Sequence, residues 1–211
     1  MIMLDVSNIA TQANTTCATA LQLVSDTNAL ISGGASGNGV VFTQRHGDMI
    51  IEKAFLDVFE TLESFMENVF ICYMLGLNGQ NGNTVERYVM PLDKEHAKKI
   101  LRGKDQYVDF TNRSSIMKYA ENFFKNGGPF VYLNGISQDF EDMKKIRNEI
   151  SHSSINSRDE FERMVRSRIS FLPTSINVAS FLMAEMPKRK KSFFAHYLSV
   201  VENTIEALSN P

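Results

Sequence analysis

One segment of the chain combines an apolar stripe with a polar C-terminal end: Asp139-Phe140-Glu141-Asp142-Met143-Lys144-Lys145-Ile146-Arg147-Asn148-Glu149-Ile150-Ser151-His152. Its apolar residues recur at three- and four-residue spacing, which predicts a helix with one buried face: Phe140, Met143, Ile146 and Ile150. Residues 143–150 also have high helix propensity. We therefore expect the other helices to form a scaffold around this one.

The polar end of this helix carries Arg147, Asn148 and His152. Asn148 and His152 are four residues apart and share a helix face, and the long side chain of Arg147 can lean towards them. A guanidinium fork, an amide and an imidazole suit phosphate binding and proton transfer near neutral pH. The alternative is a helix C-terminus at which Arg147 and His152 only complement the helix dipole. Spacing alone leaves both interpretations open.

The string Ile146-Arg147-Asn148-Glu149-Ile150-Ser151-His152 resembles the signature of the HEPN superfamily, in which Arg, a polar residue, a few intervening residues and His close a long helix. Upstream, residues 55–67 resemble the earlier long helix of bacterial HEPN domains, with an acidic residue before an aromatic one. The arrangement of residues 45–210 fits the same family. The resemblance implies an all-α antiparallel bundle and a metal-independent endoribonuclease that acts as a homodimer.

The resemblance also implies roles for the motif residues. The ribose 2′-hydroxyl would attack the adjacent phosphate, leaving a 2′,3′-cyclic phosphate and a free 5′-hydroxyl. His152 would move protons, Arg147 would stabilise the charge on the phosphate, and Asn148 would orient the phosphate or the imidazole. A dimer would supply the second histidine. Glu60 and Glu63 are candidates to support the motif, with solvent-facing charge as the alternative.

Basic residues near the motif and towards the C-terminus are candidates for RNA binding. Phosphate contacts by such residues give affinity without reading the base sequence. Solvated surface charge is the alternative for each of them. The candidates are Lys144, Lys145, Arg158, Lys188, Arg189, Lys190 and Lys191.

Two other functional classes compete with the nuclease hypothesis. A non-catalytic HEPN-like module that binds RNA or a nucleotide, or a scaffold acting with a partner protein, is the main alternative. A metal hydrolase is disfavoured because the four histidines are scattered without ligand spacing, so we predict neither a metal nor a cofactor. The resemblance further implies that the nuclease would be a toxin or an anti-phage defence effector, restrained by an antitoxin or another regulatory protein.

The length and composition of the chain limit the number of domains and the classes of function that we expect. With 211 residues and 43% hydrophobic content, the chain is long enough for one substantial domain, predicted at residues 45–211 after an N-terminal helix and linker at residues 1–44. A net charge of -2 argues against nucleic-acid binding through bulk charge. The N-terminus lacks a signal-peptide pattern, and the most apolar stretch, residues 69–77, is too short to span a bilayer. We expect a cytoplasmic protein without a membrane role.

Periodicity and capping signals predict the remaining elements. Glycine and serine in residues 32–39 predict a flexible linker, residues 107–110 are expected to be extended, and residues 129–135 are expected to form a loop. Both cysteines are expected to be reduced and buried. The predicted helices span residues 3–31, 48–77, 93–101, 112–124, 137–152, 158–171, 175–186 and 190–208.

Overall fold

The structure is a computed structural model that describes residues 4–33, 36–37, 40–102, 108–187 and 189–211. The chain is all-α, as predicted, apart from a minimal antiparallel pair of two-residue strands, β1 and β2. The described helices and strands, in chain order, are α1 (Val6–Gly33), β1 (Ser36–Gly37), β2 (Val40–Val41), α2 (Gln44–Leu75), α3 (Lys94–Arg102), α4 (Arg113–Phe123), a 3₁₀ segment (Lys125–Asn134), α5 (Ser137–His152), α6 (Ile155–Ile169), α7 (Val178–Met183) and α8 (Phe193–Ser209).

The chain forms two compact units, and neither is continuous in sequence. The first contains the described residues up to Thr15, then Glu60–Phe140 and Val201–Pro211. The second contains Thr16–Phe59 and Glu141–Val200. The predicted boundary between residues 44 and 45 remains a prediction.

Helix α2 supplies much of the buried apolar surface. Residues at helical spacing from Ile51 to Tyr73 are buried, as expected for the helix predicted at residues 48–77. Phe59, Met66 and Phe70 are buried as well, so the helix is covered on more than one side. In the first unit, the Phe70 ring lies 4.8 Å from the rings of both Phe124 and Phe130. Each such ring pair contributes about 0.5–1.5 kcal/mol beyond the area that it buries.

In the first unit, the C-terminal end of α8 and the residues after it are held by the last turn of α2 and by the segment that follows α2. The Tyr73 hydroxyl donates to the Leu208 carbonyl at 2.6 Å, and burial raises the pKa of that phenol, which keeps it a neutral donor. The side-chain amides of Asn81 and Asn83 donate to the Pro211 carbonyl at 3.0 and 3.1 Å. The polar residues between α2 and α3 therefore also hold the last described residues of the chain.

Several helix boundaries differ from prediction because capping pairs decide them. Helix α6 begins at Ile155 rather than residue 158, because Ser154 and Ser157 form a reciprocal capping box. Helix α7 begins at Val178, because Asn177 and Ser180 form another one. The predicted start at residue 175 is therefore wrong, and the predicted end at residue 186 is wrong because α7 ends at Met183.

The predicted stop after α4 is confirmed, but the loop predicted to follow it is wrong. Asn126, Gly127 and Gly128 all have positive φ angles, which end regular helix geometry. The chain then continues as 3₁₀ helix to Asn134. Val108 to Phe110 form no strand, and Tyr107, the first residue of that predicted extended stretch, lies outside the described residues.

The predicted flexible linker at residues 32–39 falls only partly within the described residues. Helix α1 continues through Gly33, and residues 36 and 37 form β1. Residues 34, 35, 38 and 39 lie outside the described part of the chain. Cys17 and Cys72 are reduced and buried, as predicted. None of the described helices combines the length and apolar character needed to cross a membrane.

Candidate functional site

Helix α5 presents the motif residues at its C-terminal end. Phe140, Met143 and Ile146 are buried as predicted, whereas Ile150 is only half-buried. The helix runs through His152, and Ser153 then adopts a left-handed conformation with a φ of 43°. The backbone N–H and the hydroxyl of Ser153 both donate to the Glu149 carbonyl at 3.1 Å, which satisfies an acceptor that a helix end leaves open.

Arg147 and Asn148 are in direct contact. The Nη1 atom of Arg147 donates to the Oδ1 atom of Asn148 at 3.3 Å. The Nε atom of the same guanidinium is buried and has no hydrogen-bond partner among the described residues. Among the residues that the structure describes, no carboxylate forms an ion pair with Arg147. A half-buried guanidinium with an unused donor is able to bind an anion.

His152 is exposed as the last residue of α5. Within the described chain, its imidazole makes no hydrogen bond or ion pair. Asn148 lies one helical turn earlier on the same face, so the helix keeps the predicted relation between the amide and the imidazole. The structure thus brings Arg147 and Asn148 into contact and leaves His152 open to solvent beside them on one helix end.

A polar network behind the motif was missed at the sequence level. Glu149, which is 9% exposed, accepts a hydrogen bond from the Ser157 hydroxyl at 2.9 Å. Its other carboxylate oxygen lies 3.7 Å from Nη1 of Arg158. These contacts join the last turn of α5 to the first turn of α6. The serine spacing of the capping box was the available signal, since it places Ser157 in the first turn of α6.

Arg158 is held by several intramolecular contacts. Its Nε donates to Glu162 at 2.6 Å, and its Nη2 donates to the Ile176 carbonyl at 2.7 Å. Its guanidinium carbon lies 5.6 Å from the centre of the Phe161 ring. RNA binding by Arg158 stays a prediction, and these contacts give the side chain a structural role.

The other predicted RNA-binding residues lie on α5 and on the loop before α8. Lys144 and Lys145 are half-buried. Arg189 and Lys190 are exposed, and Lys191 is half-buried on a loop closed by a hydrogen bond from Met186 N to Lys191 O at 2.9 Å. Lys188 lies outside the described residues. The loop therefore presents at least two exposed cations.

Glu60 and Glu63 belong to the first unit. Glu60 is exposed. Glu63 is half-buried and, with Lys98 and Arg102, lines a pocket of about 110 Å³. Their predicted support of the motif stays a prediction.

Glu52 on α2 is a further carboxyl of the second unit that sequence reasoning did not select. Burial raises its pKa above the ordinary value of 4.5, and the negative charges of Asp48 and Glu149 act in the same direction. A hydrogen bond with the Ala179 backbone opposes that shift. The negative charge of Glu149 on α5 therefore contributes to the raised pKa of Glu52 on α2.

An open pocket lies directly after the motif. It has a volume of about 300 Å³ and is lined by Glu149, Ser153, Ser154, Ile155, Arg158 and Asp159. Two of the lining residues, Glu149 and Ser153, lie on either side of His152 in the sequence, and His152 itself does not line the pocket. Among the described residues, no group of three or more His, Cys, Asp or Glu side chains is placed to hold a metal ion.

The motif end of α5 therefore combines a guanidinium without an acidic partner in the described chain, an amide, an exposed imidazole and an adjacent pocket. Comparison with protein-family models, with curated proteins and with solved structures finds no match to this chain.

Proposed function

We propose that this chain is an endoribonuclease of the HEPN type that cleaves RNA without a metal ion. The observation that carries the proposal is the state of Arg147, whose half-buried guanidinium has a buried Nε without a partner in the described chain. A buried donor without a partner costs about 1–3 kcal/mol, and an anionic ligand would remove that cost. The exposed imidazole of His152 on the same helix end supplies a group for proton transfer.

The proposed reaction is an in-line transesterification. The 2′-hydroxyl loses its proton to a base, its oxygen forms a bond to phosphorus, and the bond from phosphorus to the 5′-oxygen breaks. The leaving 5′-oxygen takes a proton from an acid, so the products are a 2′,3′-cyclic phosphate and a 5′-hydroxyl. His152 serves as base or acid, and Arg147 stabilises the extra negative charge of the transition state. Asn148, already bonded to Arg147, orients that guanidinium.

Two proton-transfer groups on opposite sides of phosphorus are needed for this reaction, and the motif contributes one imidazole. A homodimer with two motifs facing each other across a two-fold axis supplies the second. Light scattering is expected to give twice the chain mass of 23.8 kDa. A monomer at concentrations that support cleavage would contradict the composite site.

RNA would be held by cations around the motif in addition to Arg147. Lys145 on α5 and the exposed pair Arg189 and Lys190 are the candidates that the surface supports best. Their contacts would lie on phosphates, so binding is expected to weaken steeply with salt. A free ribonuclease would harm its host, so the proposal includes a role as a toxin or anti-phage effector restrained by an antitoxin or another regulatory protein.

The test is cleavage of structured RNA in EDTA, with mapping of the product ends. Wild type is expected to leave cyclic phosphates, and Arg147→Ala and His152→Ala are each expected to lose at least about 100-fold in rate. Arg166→Ala and His46→Ala, which remove an exposed guanidinium and an exposed imidazole elsewhere, are matched controls and should retain activity. Equal cleavage by all variants would overturn the proposal. RNA binding without cleavage would favour the non-catalytic binding module instead.

A further inference from the structure

The pocket lined by Glu149, Ser153 and Asp159 contains two acidic residues, which differ in their hydrogen bonding within the protein. Glu149 is engaged, since it accepts from the Ser157 hydroxyl and lies 3.7 Å from Arg158. The carboxylate of Asp159, which also lines the pocket, has no hydrogen bond or ion pair within the described residues. Asp159 is therefore the carboxylate that the pocket offers to a ligand.

The pocket also has an apolar wall and a small volume. The Ile155 side chain lines it and is 82% exposed, so an apolar face laid against it would remove surface from water. A volume of about 300 Å³ is at the lower end of the range for small-molecule sites, which is roughly 300–1,000 Å³. A flat heterocycle with polar edges fits this combination of volume and lining.

Hydrogen-bond chemistry selects one nucleobase for such a carboxylate. An ionised carboxylate has two acceptor oxygens and no donor. Guanine presents two adjacent donors, N1–H and the N2 amino group, which can meet both oxygens at once. Adenine and cytosine place an unprotonated ring nitrogen beside their amino group, and uracil flanks its single N–H with two carbonyl oxygens. These acceptors repel a carboxylate, so the other three bases pair with it poorly.

We propose that this pocket is a guanine-binding subsite in which Asp159 accepts from the N1–H and N2 amino group, with the base lying against Ile155. This inference rests on the proposed ribonuclease function and names its substrate preference. Because Ser153, which lines the pocket, directly follows His152, a guanosine bound there brings its RNA strand close to the imidazole. RNA would then be cleaved at bonds adjacent to guanosine.

Calorimetric titration of the full-length protein with each of the four nucleoside 3′-monophosphates tests the subsite without relying on cleavage. Guanosine 3′-monophosphate is expected to bind wild type at least tenfold more tightly than the other three. Asp159→Asn is expected to reduce that preference at least tenfold, because the amide replaces one acceptor by a donor. Glu160→Gln removes the neighbouring exposed charge outside the pocket and should leave the preference unchanged. Equal binding of all four nucleotides, no binding, or an unchanged preference in Asp159→Asn would overturn the inference.

Sequencing of cleavage sites separates this inference from the proposed function. Cleavage dependent on His152 but without any preference for guanosine would refute the subsite and leave the ribonuclease proposal standing. Guanosine binding that requires Asp159, in a protein that cleaves no RNA, would refute the ribonuclease proposal and support the pocket as a nucleotide-binding site.

Discussion

Two half-buried arginines of the second unit differ in what they contact. Arg168 on α6 donates from Nε to Asp142, a fully buried carboxylate of α5 that also lies 3.4 Å from the Tyr197 hydroxyl. Arg147, nearer the C-terminal end of α5, reaches only the neighbouring amide of Asn148 and makes no ion pair within the described chain. A guanidinium paired with a buried acid stabilises the fold. One left without an acid is suited to bind a ligand, so changes around Arg168 should lower stability and changes at Arg147 should lower activity.

The largest expected effect on stability comes from Asp142→Asn. The substitution keeps the shape but removes the negative charge that balances Arg168, and breaking a buried ion pair costs about 3 kcal/mol or more. The melting temperature should fall by about 6–12 °C in a chain of this size. Asp57→Asn, which breaks the exposed pair with Lys53, is the control and should change stability by less than about 1 kcal/mol. Equal melting shifts in the two variants would remove the distinction between the two arginines.

Glu149→Ala should have an intermediate effect, measured by denaturant unfolding. It removes the acceptor for the Ser157 hydroxyl and one partner of Arg158, but Ser157 still donates to the Ser154 carbonyl at 3.0 Å. We expect a loss of about 1–2 kcal/mol. Glu160→Ala, a change at an exposed carboxylate, is the control. A loss no larger than that of the control would show that the network behind the motif does not hold α5 to α6.

Glu52→Gln should have the smallest effect, and its sign depends on pH. Burial raises the pKa of Glu52 in the folded chain, so the folded state binds its proton more tightly than the unfolded state. Stability is then lost as the pH rises from about the ordinary value of 4.5 through the folded value. Glutamine carries no such charge, so the variant should melt higher than wild type at pH 7 and show a smaller gain at pH 4. A gain that is the same at both pH values would contradict a raised pKa.

Much of the fold could be predicted from residue patterns. The period of the stripe on α2, from Ile51 to Tyr73, identifies a helix buried on a broad face, and the positive φ angles at Asn126, Gly127 and Gly128 match the predicted stop. The starts of α6 and α7 were misplaced because serine and asparagine caps compete with several equivalent polar residues nearby. Which cap forms is decided by the packing around it.

The candidate site could be predicted only in part. The motif places Arg147, Asn148 and His152 on one helix end because helix geometry is fixed by local spacing. Whether Arg147 would find an acid partner, as Arg168 does in Asp142, depends on contacts between residues distant in sequence. The same holds for the contact of Glu149 with Arg158 and for the pocket that Asp159 lines. Spacing carries no information about such contacts.

The most direct measurement records the cleavage rate and the melting temperature on the same preparation of Arg147→Ala. We expect cleavage in EDTA to fall by at least about 100-fold while the melting temperature falls by less than about 4 °C. Cleavage at the wild-type rate would contradict the assignment of Arg147 to the phosphate. A melting temperature lowered as far as in Asp142→Asn would show that Arg147 stabilises the fold as Arg168 does.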